Sequence, residues 1–157
     1  MIDFSNNPKM SDVYPFLAEA IKDGGQFVLF PRGTSMKPSI IQGEDCVVLV
    51  EIDKLSRYDI VLYTRKSGQF VLHRIMDIKD GQYIMCGDNQ HDFEYGIERS
   101  SIIAVVQEIR KKDGRVFDIE QIHLDGKKFH TMPKKRLLRL YSKLRKYVKE
   151  RILCNKK

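Results

Sequence analysis

The sequence predicts a mainly β protein, built on a coiled antiparallel sheet or partial barrel with one helix before it and one after it. Short apolar runs recur between residues 27 and 122, and turn signals such as Asp80-Gly81 and Asp113-Gly114 separate them. Runs this short, joined by glycine-containing turns, favour antiparallel strands. With 157 residues, 42% of them hydrophobic, the chain is long enough to form one domain with its own core.

The first predicted element is a helix that ends at Ile21. Ser11 supplies an N-cap, and Gly24-Gly25 stops the helix. Apolar residues follow Ser11 at helical spacing, namely Val13, Phe16, Leu17, Ala20 and Ile21. We expect this helix to pack beside the first strand.

Seven strands are predicted after the helix. The run 46–52 shows little alternation, so we expect it to be buried on both faces. Hairpin turns are expected at 66–69 and at Asp80-Gly81. The predicted strands are residues 27–32, 46–52, 60–63, 70–78, 82–86, 101–110 and 115–122.

Positive charge is concentrated at the end of the chain. Residues 127–157 contain thirteen Lys or Arg and one acid, Glu150, a net charge of +12, while residues 1–126 carry fifteen basic and twenty acidic groups, a net charge of −5. Between Pro133 and Leu153, Leu, Tyr and Val recur at three- and four-residue steps, with Lys and Arg on the other face. The sequence therefore predicts a β domain over 1–126 and a basic amphipathic helical tail over 127–157.

Three roles are open for this tail: docking on the β domain, lying on an anionic membrane surface, or binding nucleic acid. Nucleic acid is the least favoured, because Tyr141 and Tyr147 fit the apolar stripe better than a stacking platform. The sequence contains no run of about 18 apolar residues, so it predicts no membrane-spanning helix. The N-terminus lacks the order of a secretory signal, in which basic residues precede apolar ones. We expect a cytoplasmic protein, in which docking on the β domain is the favoured role of the tail and peripheral membrane contact is the alternative.

The cysteines give no sign of a disulfide framework or a metal site. Cys46, Cys86 and Cys154 are far apart and odd in number, and no His or Cys pair has ligand spacing. We therefore predict a reducing compartment, with neither a metal nor another cofactor.

A candidate nucleophile lies in the turn Pro31-Arg32-Gly33-Thr34-Ser35-Met36-Lys37-Pro38. Gly33 permits a tight turn two residues before Ser35, and Pro38 stiffens the exit three residues after it. This arrangement can present one hydroxyl at the end of a strand. Taken alone, the pattern is more typical of a polar turn between strands.

Two downstream blocks supply the partners that a serine nucleophile needs. Val71-Leu72-His73-Arg74-Ile75 places His73 in an apolar strand, and Met85-Cys86-Gly87-Asp88-Asn89 places Asp88 at the end of another. A Ser, a His and an Asp can act as nucleophile, general base and orienting acid.

In this order and spacing, the three blocks resemble the signal peptidases and the LexA-type serine peptidases. In that superfamily a Ser-Met-x-Pro-like box carries the nucleophile, a later strand carries the base, and a Gly-Asp-Asn box follows. The base is Lys in the bacterial and LexA-type proteins and His in the endoplasmic-reticulum and archaeal signal peptidases, which this chain resembles most. The resemblance covers residues 27–106 and implies the coiled β-sheet of that superfamily. The sequence departs from the family in two respects. Tyr58 stands where the family usually has Gly, and the sequence shows no membrane-spanning anchor.

The resemblance implies a role for each site residue. Ser35 would be the nucleophile, His73 the general base and then general acid, and Asp88 the acceptor of the second imidazole N–H. Asp92 is the reserve for that third role, and a bare Ser35–His73 dyad is the other option. The remaining histidines, His91, His123 and His130, are expected at the surface.

The residues around Ser35 are expected to form the oxyanion and substrate-binding region. The backbone N–H of Ser35 is the natural donor to the oxyanion. Bacterial signal peptidases often add a hydroxyl at the position of Gly33, which has none, so Thr34 is left as either a substitute donor or a plain turn residue. Met36 is expected to pack beneath the site.

Three functions follow from these observations. The first is a serine endopeptidase that trims an extended peptide or protein substrate, such as a leader peptide. The second is a LexA-like self-cleaving regulator, disfavoured because the 34 residues before Ser35 contain one helix, too little for a helix-turn-helix. The third is an inactive β module whose basic tail binds membrane or nucleic acid.

Overall fold

The computed structural model describes residues 9–131. The predicted tail helix between Pro133 and Leu153 lies outside these residues, so its predicted partners remain predictions. Two helices and eight strands form the described part. The helices are α1 (Met10–Ile21) and α2 (Ile119–Thr131), and the strands are β1 (Gln26–Leu29), β2 (Cys46–Val50), β3 (Ile60–Thr64), β4 (Phe70–Lys79), β5 (Gln82–Cys86), β6 (Glu94–Ile97), β7 (Ile102–Arg110) and β8 (Val116–Phe117).

The eight strands form one open antiparallel sheet, which confirms the mainly β prediction. The strand order is β1-β2-β7-β3-β4-β5-β6, and β8 pairs with β7. β1 and β6 are therefore the two ends of the sheet. The hairpin of β4 and β5, which brings the predicted His73 and Asp88 blocks together, pairs Arg74 with Cys86.

The central strands are buried on both faces. On β3, Ile60 and Leu62 pack into one apolar cluster and Val61 and Tyr63 into another, because successive strand residues point to opposite faces. Both helices contribute to the first cluster, which includes Leu17 and Ile21 of α1 and Ile122 of α2. Burying a large aliphatic side chain contributes about 1.5–3 kcal/mol, so these clusters hold the helices on the sheet.

The predicted strands 27–32 and 46–52 end earlier than expected, at Leu29 and Val50, and the largest differences are near the end of the sheet. α1 begins at Met10, so the predicted N-cap Ser11 is wrong: Ser11 lies inside the helix, and Lys9 occupies the cap position without a side-chain hydrogen bond. β6 was not predicted. The predicted strand at 115–122 was wrong beyond Phe117, where α2 begins instead. Asp118 caps this helix by accepting the N–H of Gln121 at 2.9 Å. The predicted domain boundary at 126/127 lies inside α2.

Within residues 9–131, neither helix has the length and apolar character that crossing a membrane requires.

Candidate active site

The candidate nucleophile lies at an open cavity of about 420 Å³ beyond the end of β1. Ser35 is half-buried in the turn that follows β1, and His73 on β4 borders the same cavity. The structure therefore brings together the first two residues of the predicted site, which lie on separate elements of the sheet.

Backbone hydrogen bonds fix the shape of the Ser35 turn. The N–H of Ile40 donates to Met36 O at 2.9 Å, and Gly33 adopts a φ of +93°, where glycine carries no steric penalty. The Gly33 N–H donates to the Gln42 side chain at 2.7 Å, so it is engaged within the turn. Met36 is buried in the core, whereas Thr34 is exposed.

The Ser35 N–H makes no hydrogen bond within residues 9–131. It is therefore a backbone donor of this turn that can serve an oxyanion formed at Ser35. The position of the Thr34 hydroxyl does not support the prediction that it is a second donor to the oxyanion.

The Gly87-Asp88-Asn89 segment holds the Ser35 turn. The Asn89 N–H donates to Ser35 O at 2.7 Å, and its side-chain amide donates to Thr34 O at 3.2 Å. A Cβ added at Gly87 would lie 2.7 Å from Ser35 O and 3.1 Å from His73 Nε2. A side chain at position 87 would therefore clash with the nucleophile turn and crowd the imidazole, and glycine avoids both contacts.

His73 presents one ring nitrogen to Gly87 and the other to polar partners. The residue is 1% exposed, and its Nδ1 lies 3.3 Å from the Tyr63 hydroxyl and 3.2 Å from Glu94 Oε1. Its Nε2 makes no hydrogen bond to any residue that the structure describes. Nδ1 is thus the oriented nitrogen, and Nε2 is the one on the side of Ser35.

Glu94, on the end strand β6, is the carboxylate next to His73. Arg65 binds it through two nitrogens, with Nε 2.8 Å from Oε2 and the second bond going to Oε1. The sequence prediction missed Glu94. The signal was present, because Phe93, Tyr95 and Ile97 alternate with it at the period of a strand.

Burial lowers the pKa of His73, while the Glu94 carboxylate opposes that effect. For Glu94, burial would raise the pKa, but the hydrogen bonds and charge of Arg65 outweigh it and lower the pKa. Burial and the nearby Glu94 raise the pKa of the Tyr63 phenol, which therefore stays protonated. At neutral pH the site then contains a neutral imidazole beside an ionised carboxylate, the charge state that a general base requires.

Asp88 does not occupy its predicted position beside His73. Both of its oxygens are used by other groups: Arg74 donates to them at 2.8 and 2.7 Å, His130 Nε2 lies at 2.9 Å, and Ser39 donates to Oδ2. The physical reason is the strand period, since Arg74 points to the opposite face of β4 from His73 and draws the carboxylate with it. The reserve residue, Asp92, is exposed and makes no hydrogen bond or ion pair with His73.

None of the three other histidines is exposed at the surface as the sequence predicted, and His91 is partly buried. His130 is 5% exposed and contacts Asp88, and His123 is partly buried with its Nε2 2.6 Å from Asp59 Oδ1. No group of three His, Cys, Asp or Glu side chains in the described range is arranged to hold a metal ion.

Comparison of the chain with protein-family models, with curated proteins and with solved structures gave no match.

Proposed function

We propose that the chain is a serine endopeptidase in which Ser35 is the nucleophile, His73 the general base and Glu94 the residue that orients the imidazole. One observation carries the proposal: a single point, the Cβ position that Gly87 leaves empty, lies 2.7 Å from Ser35 O and 3.1 Å from His73 Nε2, and both residues border one open cavity. Independent support comes from the free Ser35 N–H and from Glu94 at the second ring nitrogen.

The proposed reaction follows from these positions. Neutral His73 accepts the Ser35 hydroxyl proton at Nε2 as the oxygen attacks the peptide carbonyl carbon, and the Ser35 N–H donates to the oxyanion. The imidazolium then returns the proton to the leaving amine, which gives an acyl-enzyme. A water molecule, deprotonated at Nε2, attacks the ester carbonyl, and the imidazolium then returns that proton to the Ser35 oxygen as the ester bond breaks and the new carboxyl terminus leaves. Glu94 stabilises the imidazolium through Nδ1 during both steps.

The proposed substrate is an extended peptide that adds to the outer edge of β1. β1 is an end of the sheet, so its outer edge has no strand partner within residues 9–131. Such an edge binds peptides through main-chain hydrogen bonds. β1 leads directly into the Ser35 turn, and a second, mostly apolar cavity of about 440 Å³ lies between α1 and β1. The family resemblance adds a preference for small residues just before the cut.

The proposal extends to the fold. We propose that the open antiparallel sheet is the coiled sheet of the signal peptidase and LexA-type superfamily, because the three motifs occur in that order and the first two border one cavity. A histidine as the base favours the signal peptidase branch over a self-cleaving regulator.

Mass spectrometry of a proteome-derived peptide library tests the proposal. The library is incubated with the full-length wild type, with Ser35→Ala, and with the matched control Ser100→Ala, whose exposed hydroxyl contacts Glu98 away from the cavity. We expect new termini with the wild type and the control, and a loss of at least about 1000-fold in Ser35→Ala. Equal cleavage by Ser35→Ala would refute Ser35 as the nucleophile, and an absence of cleavage by all three proteins would refute the endopeptidase proposal.

A further inference from the structure

One face of α2 packs on buried charged residues next to the candidate active site. Ile122, Gly126 and His130 follow one another at intervals of four residues, which places them on the same side of the helix. They are also the buried residues of α2. A glycine and a histidine are unusual on a purely apolar packing face, and both contact charged groups.

Arg74 contacts the first two positions of this face. Its Nη1 donates to Ile122 O at 2.7 Å, and a Cβ added at Gly126 would lie 2.7 Å from the same nitrogen. Arg74 is fully buried and held by several hydrogen bonds, so it has no room to move away. Glycine at 126 is therefore what allows the helix backbone to lie against the guanidinium group.

His130, the third position, contacts the carboxylate that Arg74 binds. His130 Nε2 lies 2.9 Å from Asp88 Oδ1, and both Asp88 and Arg74 have no exposed surface. Burying a charged pair is costly unless hydrogen bonds satisfy its remaining atoms. α2 supplies two of these contacts, one to each member of the pair.

This ion pair is linked by the chain to both the proposed base and the turn of the proposed nucleophile. Arg74 follows His73 on β4, and Asp88 lies between Gly87 and Asn89, which contact the Ser35 turn. Ser39, four residues after Ser35, donates to Asp88 as well. A displacement of the pair would therefore change the distance between the nucleophile and the imidazole.

We infer that α2 is a positioning element of the active site, in which Gly126 and His130 hold the Arg74–Asp88 pair and so hold the Ser35 turn against His73. The inference rests on the proposed peptidase function. It assigns no contact between α2 and substrate, so His130 and Gly126 are positioning residues. Their effect should fall on kcat and leave KM nearly unchanged.

Kinetics of four full-length variants test the inference. His130→Ala removes the contact to Asp88, and Gly126→Ala pushes a methyl group into Arg74. We expect both to lower kcat on the order of 10- to 100-fold, as small displacements of catalytic groups do. His130→Gln, which keeps a donor at a similar reach, should recover most of the activity. His123→Ala, on the same helix but in contact with Asp59, is the matched control and should behave as the wild type.

Alanine at 126 has a higher helix propensity than glycine. A loss of kcat in Gly126→Ala therefore reports the contact with Arg74 and not a weaker helix. Thermal unfolding of each variant identifies any that fail to fold, and His130→Gln and Gly126→Ala give two independent routes to the same conclusion.

Hydrogen exchange at the Asn89 amide, which donates to Ser35 O, tests the inference without cleavage. We expect exchange to be faster in His130→Ala and Gly126→Ala than in the wild type, His130→Gln and His123→Ala. If the wild type cuts no peptide while exchange follows this pattern, the peptidase proposal fails and the structural coupling stands. Unchanged kcat and unchanged Asn89 exchange in both damaging variants would overturn the inference.

Discussion

At the scale of single residues, the two carboxylates near the site, Asp88 and Glu94, bind different partners through their oxygens. Asp88 is fully buried and shares both oxygens among Arg74, Ser39 and His130. Glu94 is only partly buried and also pairs with an arginine, Arg65, yet one of its oxygens remains 3.2 Å from His73 Nδ1. Asp88 is therefore suited to holding elements together, and Glu94 to stabilising a charge that forms on the imidazole.

The pH dependence of Glu94→Gln tests that division. Neutral His73 is the proposed base, so activity falls as the imidazole is protonated, and its lowered pKa puts this acidic limb below the ordinary value of about 6.5. Because the Glu94 carboxylate opposes the lowering, its removal should move the limb to still lower pH. It should also reduce the plateau rate by about 10²- to 10⁴-fold through loss of imidazole orientation.

The measurement is kcat/KM for one cleaved peptide between pH 4 and pH 8. Glu98→Gln, at an exposed glutamate outside the cavity, is the matched control and should keep the wild-type profile. A limb that moves to higher pH in Glu94→Gln, or does not move, would contradict the assignment of Glu94 to His73.

The sequence was most informative for residues whose neighbours form a recognisable block. Ser35 and His73 were predicted from such blocks, and they border one cavity. The third residue was not predictable in this way. Asp88 follows β5, Glu94 begins β6, which the sequence did not predict, and the pairing of β5 with β6 decides which one meets His73. His130 was missed because its partner is 42 residues away in the chain.

At the scale of elements, two consecutive residues of β4 lie in two different environments. Strand alternation sends His73 toward the cavity and Arg74 toward α2. The segment after β5 then contacts both, through Gly87 on the His73 side and Asp88 on the Arg74 side. The β4–β5 hairpin is thus the element that connects the proposed active site to the packing of α2.

The substitution Gly87→Ala tests this connection. Its Cβ would lie 2.7 Å from Ser35 O, a backbone atom, so the Ser35 turn must shift away from His73. We expect kcat to fall on the order of 100-fold. Gly81→Ala, in the exposed β4–β5 turn at a φ of +74°, is the control, because it strains the same hairpin without approaching the cavity.

Steady-state kinetics and thermal unfolding of both variants separate the two effects. Gly81→Ala should lower the unfolding midpoint and keep kcat, whereas Gly87→Ala should lose kcat at temperatures where it remains folded. Full activity in a folded Gly87→Ala protein would show that the close approach of Gly87 to Ser35 has no part in the reaction.

Elements were predictable where local signals and tertiary packing agree. The Asp80-Gly81 turn and the apolar runs around it gave β4 and β5 nearly to the residue. The segment 119–122 was assigned to a strand from its apolar residues, although Asp118 and Gln121 have the spacing of a helix N-terminal cap. Its helical state also depends on packing against Arg74, a contact that the local sequence does not reveal.

At the scale of the whole molecule, the buried ion pair joins three regions that are distant in sequence: the Ser35 turn, the β4–β5 hairpin and α2. Apolar clusters cover both faces of the central sheet, so the pair is shielded from water. A shielded pair contributes to stability in a different way from exposed pairs, because removing one partner leaves an uncompensated charge in the interior.

Asp88→Asn should therefore destabilise the whole protein. Breaking a buried pair by removing one partner costs about 3–5 kcal/mol, so we expect a loss of that size in the free energy of unfolding at pH 7. The exposed pair of Asp113 and Arg115 is the matched control, and Asp113→Asn should leave stability near the wild-type value. Urea unfolding of the full-length proteins, followed by circular dichroism, measures both.

The same variant should change the acid sensitivity of the fold. Burial alone would raise the pKa of Asp88, but hydrogen bonds from Arg74, His130 and Ser39 and the charge of Arg74 outweigh it and hold the pKa well below its usual range. An acid with a lowered folded pKa contributes stability above its unfolded value, about 3.9, and loses it as the pH falls through the folded value. Asp88→Asn removes that contribution, so its stability should decline less steeply than the wild type below about pH 5. A parallel decline in the two proteins would mean that other carboxylates set the acid limit, and that this pair does not join the three regions energetically.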